Sequence, residues 1–148
     1  MRQTWALALV GIIILGGIIS LASLTSSSSS ALPELPLDKV APSDWVKGPL
    51  MGKITLIEYS DFQCPACATY HPLLKELTEE FNQDLQFVYR HFPLKSIHKN
   101  ATPAARAAEA AGRQGKFWEM HDLIFQHQND WKDSKESKTL FAQYAQEL

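Results

Sequence analysis

Apolar residues follow three successive rhythms along this chain. The first is continuous: from Trp5 to Leu24 the sequence reads WALALVGIIILGGIISLASL without a charged side chain. A helix needs about 20 apolar residues to cross the hydrocarbon of a bilayer, and this run reaches that length. No polar face interrupts it, which argues against a helix packed on a soluble core. The second rhythm is that of a strand. In KITLIEYS (53–60) the apolar run is broken inside only at Thr55 and Glu58, which predicts a central strand covered on both faces. Past Ser60 and Asp61 the third rhythm begins. Cys67, Tyr70, Leu73, Leu74 and Leu77 recur at helical spacing as far as Phe81. Pro65 suits the first turn of that helix, whereas Pro72 should kink it further along. LQFVYRHF (85–92) then reads as a second strand, stopped by Pro93, so the unit is strand, helix, strand with a connection long enough for a parallel crossover.

The remainder is helical in pattern. NATPAARAAEAAGRQG has Asn100 as its N-cap, Pro103 early and Gly115 at its close. KFWEMHDLIFQHQ (116–128) carries Phe117, Met120, Leu123, Ile124 and His127 near one stripe, and Phe117, Trp118 and Met120 are expected in the core. A further helix is predicted from about Ser134 onward, with Phe141, Tyr144 and Ala145 on its apolar side. Two strands make a marginal sheet that needs partners. The exported part is therefore expected to be the front of an α/β domain whose remaining strands lie outside this chain.

Composition then sorts the segments. Residues 1–24 are expected to be a transmembrane anchor with a cytoplasmic N-terminus, because Arg2 is the only charged side chain before Glu34. A cleaved signal peptide with Ser20-Leu21-Ala22 as its small-residue site is the alternative, and the length of the run favours the anchor. The Ser- and Pro-rich residues 25–37 form a linker. Residues 38–148 make up the domain, on the extracytoplasmic side of the cell membrane. With 14 Lys and Arg against 16 Asp and Glu, and no basic patch interleaved with aromatics, nucleic acid is excluded as a partner.

The candidate chemistry lies in DFQCPACATYHP (61–72), which holds the only two cysteines, Cys64 and Cys67. A thiol at a helix N-terminus meets unpaired N–H groups and the positive end of the macrodipole, which favour thiolate. The spacing sets Cys64 at the exposed cap and Cys67 one turn in, so that Cys64 is attacked and Cys67 resolves the mixed disulfide. A zinc site at this pair would need two more ligands, and none of the five histidines stands at a matching spacing. Haem attachment would need histidine directly after the second cysteine, where Ala68 stands. A bridge this short constrains the unfolded chain little, which makes stability a weak reason for it. No metal and no cofactor are assigned. Glu58, in an otherwise apolar strand six residues before Cys64, is either a half-buried carboxylate relaying a proton to Cys67 or a solvated one at the strand's wet end.

Three stretches in order, IEYSDFQCPACATYHP, FVYRHFPL and HKNATPAARAAEAAGRQGKFWEMHDLIF, resemble the thioredoxin-fold thiol oxidoreductases of the DsbA type, closest to their membrane-anchored bacterial branch. The resemblance spans about residues 38–148. It implies a thioredoxin-like α/β fold with an inserted helical domain beginning near Asn100. It also implies a reactive Cys64, a resolving Cys67, and Pro65 and Ala66 as the dipeptide that helps set the potential. The family's cis-proline loop, last strands and last helix are absent from these residues; Pro103 follows a threonine but opens a helix. By the same resemblance the substrates are exported protein thiols, and electrons leave through a quinone-linked membrane partner. The expected activity is disulfide formation. Reduction or isomerisation by the same pair, and a non-catalytic peptide-binding module with a structural disulfide, are the alternatives. His91 and His98 are expected to be satisfied or solvent-facing, and Tyr70 and His71, a turn past Cys67, are not assigned to the substrate surface.

Overall fold

A computed structural model describes residues 39–148. The expected anchor (1–24) and linker (25–37) lie outside the described residues. Among the described residues, no helix is long and apolar enough to cross a membrane.

Three strands form the sheet, in the order β1, β3, β2. β2 (Ile54–Ser60) and β3 (Leu85–His91) are the two expected strands and pair in parallel, from Ile54 opposite Leu85 to Ser60 opposite His91. The helix α1 (Pro65–Glu80) makes the crossover between them. β1 (Trp45–Lys47) was not expected. It pairs antiparallel with β3, Trp45 opposite Tyr89, and at three residues it is too short to show an alternation in sequence. β3 is thus the middle strand, and all its residues but His91 are buried.

Pro72 lies inside one continuous helical span. The helices beyond β3 are α2 (Ala101–Gly112), α3 (Phe117–Gln126), α4 (Gln128–Trp131) and α5 (Ser137–Gln146). The single helix expected over 116–128 is therefore divided at His127, and the last helix starts three residues later than Ser134. Asn100 holds the N-cap position of α2 but its side chain makes no cap bond; its amide is engaged elsewhere.

Phe87, Tyr89 and His91 alternate onto one face of β3, and the helical unit packs against it. Phe62 stacks on Tyr89 at 5.4 Å, and Trp118 lies 5.7 Å from Phe87. Phe117 and Met120 are buried as expected, with Trp118 partly so. Trp45 lies flat on Phe117 (4.2 Å, 6°) and its indole N–H donates to Glu109 at 2.7 Å. That ring lies so close to α2 that a Cβ on Gly112 would come within 2.3 Å of it. Only glycine fits there. Trp131 is fully buried, donates to the Ile124 carbonyl at 2.8 Å and meets Phe141 edge-on.

Arg90 faces the other side of β3. Its guanidinium donates from Nε and Nη2 to the two carboxylate oxygens of Asp44 (2.8 and 2.6 Å) and also to the Tyr59 hydroxyl and the Lys39 carbonyl. Both partners of the ion pair are buried.

Candidate redox site

β2 ends at Ser60, the chain turns, and α1 starts at Pro65 with Cys64 as its extended N-cap residue. The proline supplies a fixed φ where a missing N–H removes no helix bond. Both cysteines are free thiols and half-buried, while Pro65 and Ala66 are exposed between them. Cys67 sits inward, packed against the core. Burial pushes its thiol pKa up, opposed by the Ser60 hydroxyl and the Asp61 backbone.

Burial likewise raises Glu58, with the Ser60 hydroxyl again opposing. The buried Tyr89 phenol is pushed far up by burial and by the neighbouring charges of Glu58 and Cys67. Ser60 is thus the neighbour common to Glu58, Cys67 and Tyr89. Ser60 Oγ and Tyr89 OH are buried without a hydrogen-bond partner. Glu58 is the half-buried carboxylate rather than a solvated one.

The turn carrying Cys64 is fixed by side chains that sequence spacing did not single out. Asp61, 3 % exposed, accepts from the Gln63 N–H (2.7 Å) and the Leu94 N–H (2.8 Å), and it pairs with His98 Nδ1 at 2.7 Å. Gln63 donates to the Lys132 carbonyl (2.6 Å) and accepts from the Asn100 N–H (2.7 Å). Gln128, on α4, donates to the carbonyls of Phe62 (2.7 Å) and Cys64 (2.9 Å). Asn100 Nδ2 reaches the carbonyls of Trp131, Lys132 and Ser134, and its Oδ1 accepts from Ser137 Oγ. An uncapped Asn and two buried glutamines leave no periodic signal, because their partners are backbone atoms far away in sequence.

His91 and His98 are satisfied, by Glu109 at 3.1 Å and by Asp61 respectively. Tyr70 is exposed beside the pair, but His71 is not at the surface. It turns inward, stacks on Phe125, and faces His121 and Asp122 of α3. Burial, then the nearby His121, lowers its pKa to about 4. Burial also lowers His121. Burial opposes ionisation of Asp122, but the hydrogen bond from His121 and the pairing with Lys75 bring it down to about 2.

The fold and the Cys-Pro-Ala-Cys turn define a thioredoxin-like protein. The thioredoxin family profile matches residues 41–147, and the chain belongs to that family, with the mixed α/β fold of DsbA-type structures. Wolbachia pipientis alpha-DsbA1, in its T172V form, superposes with a TM-score of 0.63 at 24 % identity, covering 76 % of this chain and 55 % of that one. Pseudomonas aeruginosa DsbA2 superposes at 0.52 with 34 % identity over 60 % of this chain and 50 % of its own. Among curated relatives, the Na(+)/H(+) antiporter NhaA 1 of Salinispora arenicola is 48 % identical over 87 residues, 59 % of this chain and 13 % of that protein. The chain thus spans a small part of the curated relatives it matches and about half of these two solved structures.

Proposed function

We propose that this protein exchanges thiols and disulfides on exported proteins and, in the cell, forms disulfide bonds. The observation that supports this most directly is the pair itself: Cys64 at the helix cap, with Cys67 inward against the core. A substrate thiolate attacks Sγ of Cys64 in the oxidised pair. The intramolecular S–S bond breaks and Cys67 leaves as thiolate. Burial raises Cys67, which favours protonation of the leaving sulfur, and Glu58, itself raised by burial, is the proposed donor of that proton. A second substrate thiolate then attacks the mixed disulfide, leaving the substrate oxidised and the pair reduced. Reoxidation through a quinone-linked membrane partner completes the cycle, as the DsbA resemblance implies. The apolar run 5–24 supports a membrane tether with the domain outside.

Assays of insulin reduction and of oxidation of a reduced protein test the proposal. Cys64→Ser abolishes both, while Cys67→Ser accumulates a substrate disulfide on Cys64 visible by mass spectrometry. Full activity in Cys64→Ser would end the catalytic assignment. Titration of the pair against glutathione then gives the direction of electron flow: a potential well above that of the glutathione couple supports disulfide formation, and one well below it supports reduction.

A further inference from the structure

Away from the cysteine pair, His71 on α1 and His121 and Asp122 on α3 bring ligand atoms together that all lie within 4.8 Å of one another. The two histidines are buried and Asp122 is half-buried. Oδ1 of Asp122 is 3.0 Å from His121 Nδ1 and 3.7 Å from His71 Nε2. Donor atoms about 2.0–2.2 Å from a tetrahedral zinc ion stand about 3.3 Å from one another. These two distances straddle that value. We propose that His71, His121 and Asp122 bind a first-row divalent transition cation of the zinc class between α1 and α3.

The surroundings support the assignment. Two imidazoles and one carboxylate form a donor set suited to zinc and its neighbours rather than to calcium or magnesium. Lys75 Nζ holds Oδ2 of Asp122 at 3.1 Å and leaves Oδ1 to the imidazoles, as an outer partner orients a ligating carboxylate. A small cavity with room for a single water-sized occupant adjoins the three side chains, and Glu58 and Lys47 also line it. Two carboxylates there balance two lysines, and the Lys47 ammonium lies over the Trp118 ring at 5.5 Å.

His121 adds an independent sign. Phe62, Tyr89, Phe117, Trp118 and Phe125 surround it, an environment in which phenylalanine would pack without a polar atom. Its Nε2 is buried with no hydrogen-bond partner, an arrangement disfavoured in a dry core. A polar ring kept in that cage has a use other than packing, and the nitrogen that faces Asp122 is Nδ1.

The proposal is independent of the redox assignment, and its test removes the thiols. The full chain carrying Cys64→Ser and Cys67→Ser is stripped with chelator and titrated with Zn²⁺ and Co²⁺. Calorimetry is expected to give one ion per chain, with a tetrahedral Co²⁺ absorption band. His71→Gln, His121→Phe and Asp122→Asn should each weaken binding at least tenfold, and zinc should raise the melting temperature of the parent alone. Imidazole nitrogen chemical shifts in the parent identify the ligands without any variant, should one fail to fold. No binding, undiminished affinity in a folded His71→Gln, or zinc-dependent shifts confined to His91, His98 or His127 would overturn the proposal.

Discussion

Glu58 and Cys67 flank the same buried hydroxyls, and burial disfavours the charged form of each. Because the folded pKa of Glu58 lies above its ordinary 4.5, the native state keeps this proton to a higher pH than the unfolded chain does. At pH well above both values the carboxylate subtracts from stability, and well below 4.5 both states are protonated and the difference vanishes. Glu58→Gln should therefore raise the melting temperature at neutral pH more than in acid. If Glu58 serves Cys67, the same variant also flattens the pH dependence of disulfide reduction. An unchanged rate profile would remove Glu58 from the chemistry and leave only its effect on stability. The sequence singled out Glu58 because a charge interrupts an apolar strand. It did not single out Ser60, whose hydroxyl at a strand end resembles many solvated serines. The inward orientation of His71 was not legible either, because one turn past an exposed cap it depends on α3.

At the scale of elements, the turn bearing Cys64 is held less by its own hydrogen bonds than by helices that follow it. Gln128 is 5 % exposed and binds the carbonyls on either side of Gln63. Truncating it to alanine leaves the buried Phe62 carbonyl short of a donor, at about 1–3 kcal/mol where no water replaces it, while the Cys64 carbonyl keeps the Ala68 N–H. Gln128→Ala is expected to lower stability in urea by an amount of that order. It should also speed alkylation of Cys64 without altering the far-ultraviolet dichroism. β2, α1 and β3 were legible because apolar periodicity and proline mark them. β1 was not, since three residues carry no period, and neither was the division at His127, where the stripe of apolar positions runs on although the backbone turns.

Across the whole molecule, the sheet separates an aromatic layer shared with the helices from a polar anchor on the opposite face. Burial works against the Asp44 carboxylate, but its hydrogen bonds with Arg90 and the Ala41 N–H leave its pKa below the ordinary 3.8. Its contribution to stability is thus complete above pH 3.8 and is lost as pH falls through the lower folded value. Asp44→Asn removes the charge partner of Arg90 but leaves its bonds to Tyr59 and Lys39, and should lower stability by about 1 kcal/mol at neutral pH, with less of a deficit in strong acid. Melting curves of parent and variant across that range would show the two converging. A deficit that stayed constant would mean that the pair contributes by packing alone. The fold class was legible because a strand, a cysteine turn and a parallel strand follow one another closely. The Asp44–Arg90 anchor was not, since 46 residues separate its ends and neither stands in a recognisable pattern.

The clamp on the cysteine turn also fixes an order of events during synthesis. Cys64 leaves the ribosome well before Gln128, whose amide lies 64 residues further along the chain. The thiols are therefore made on a loop that is not yet set. Only when α4 has emerged can the newborn pair acquire the geometry on which its reactivity depends.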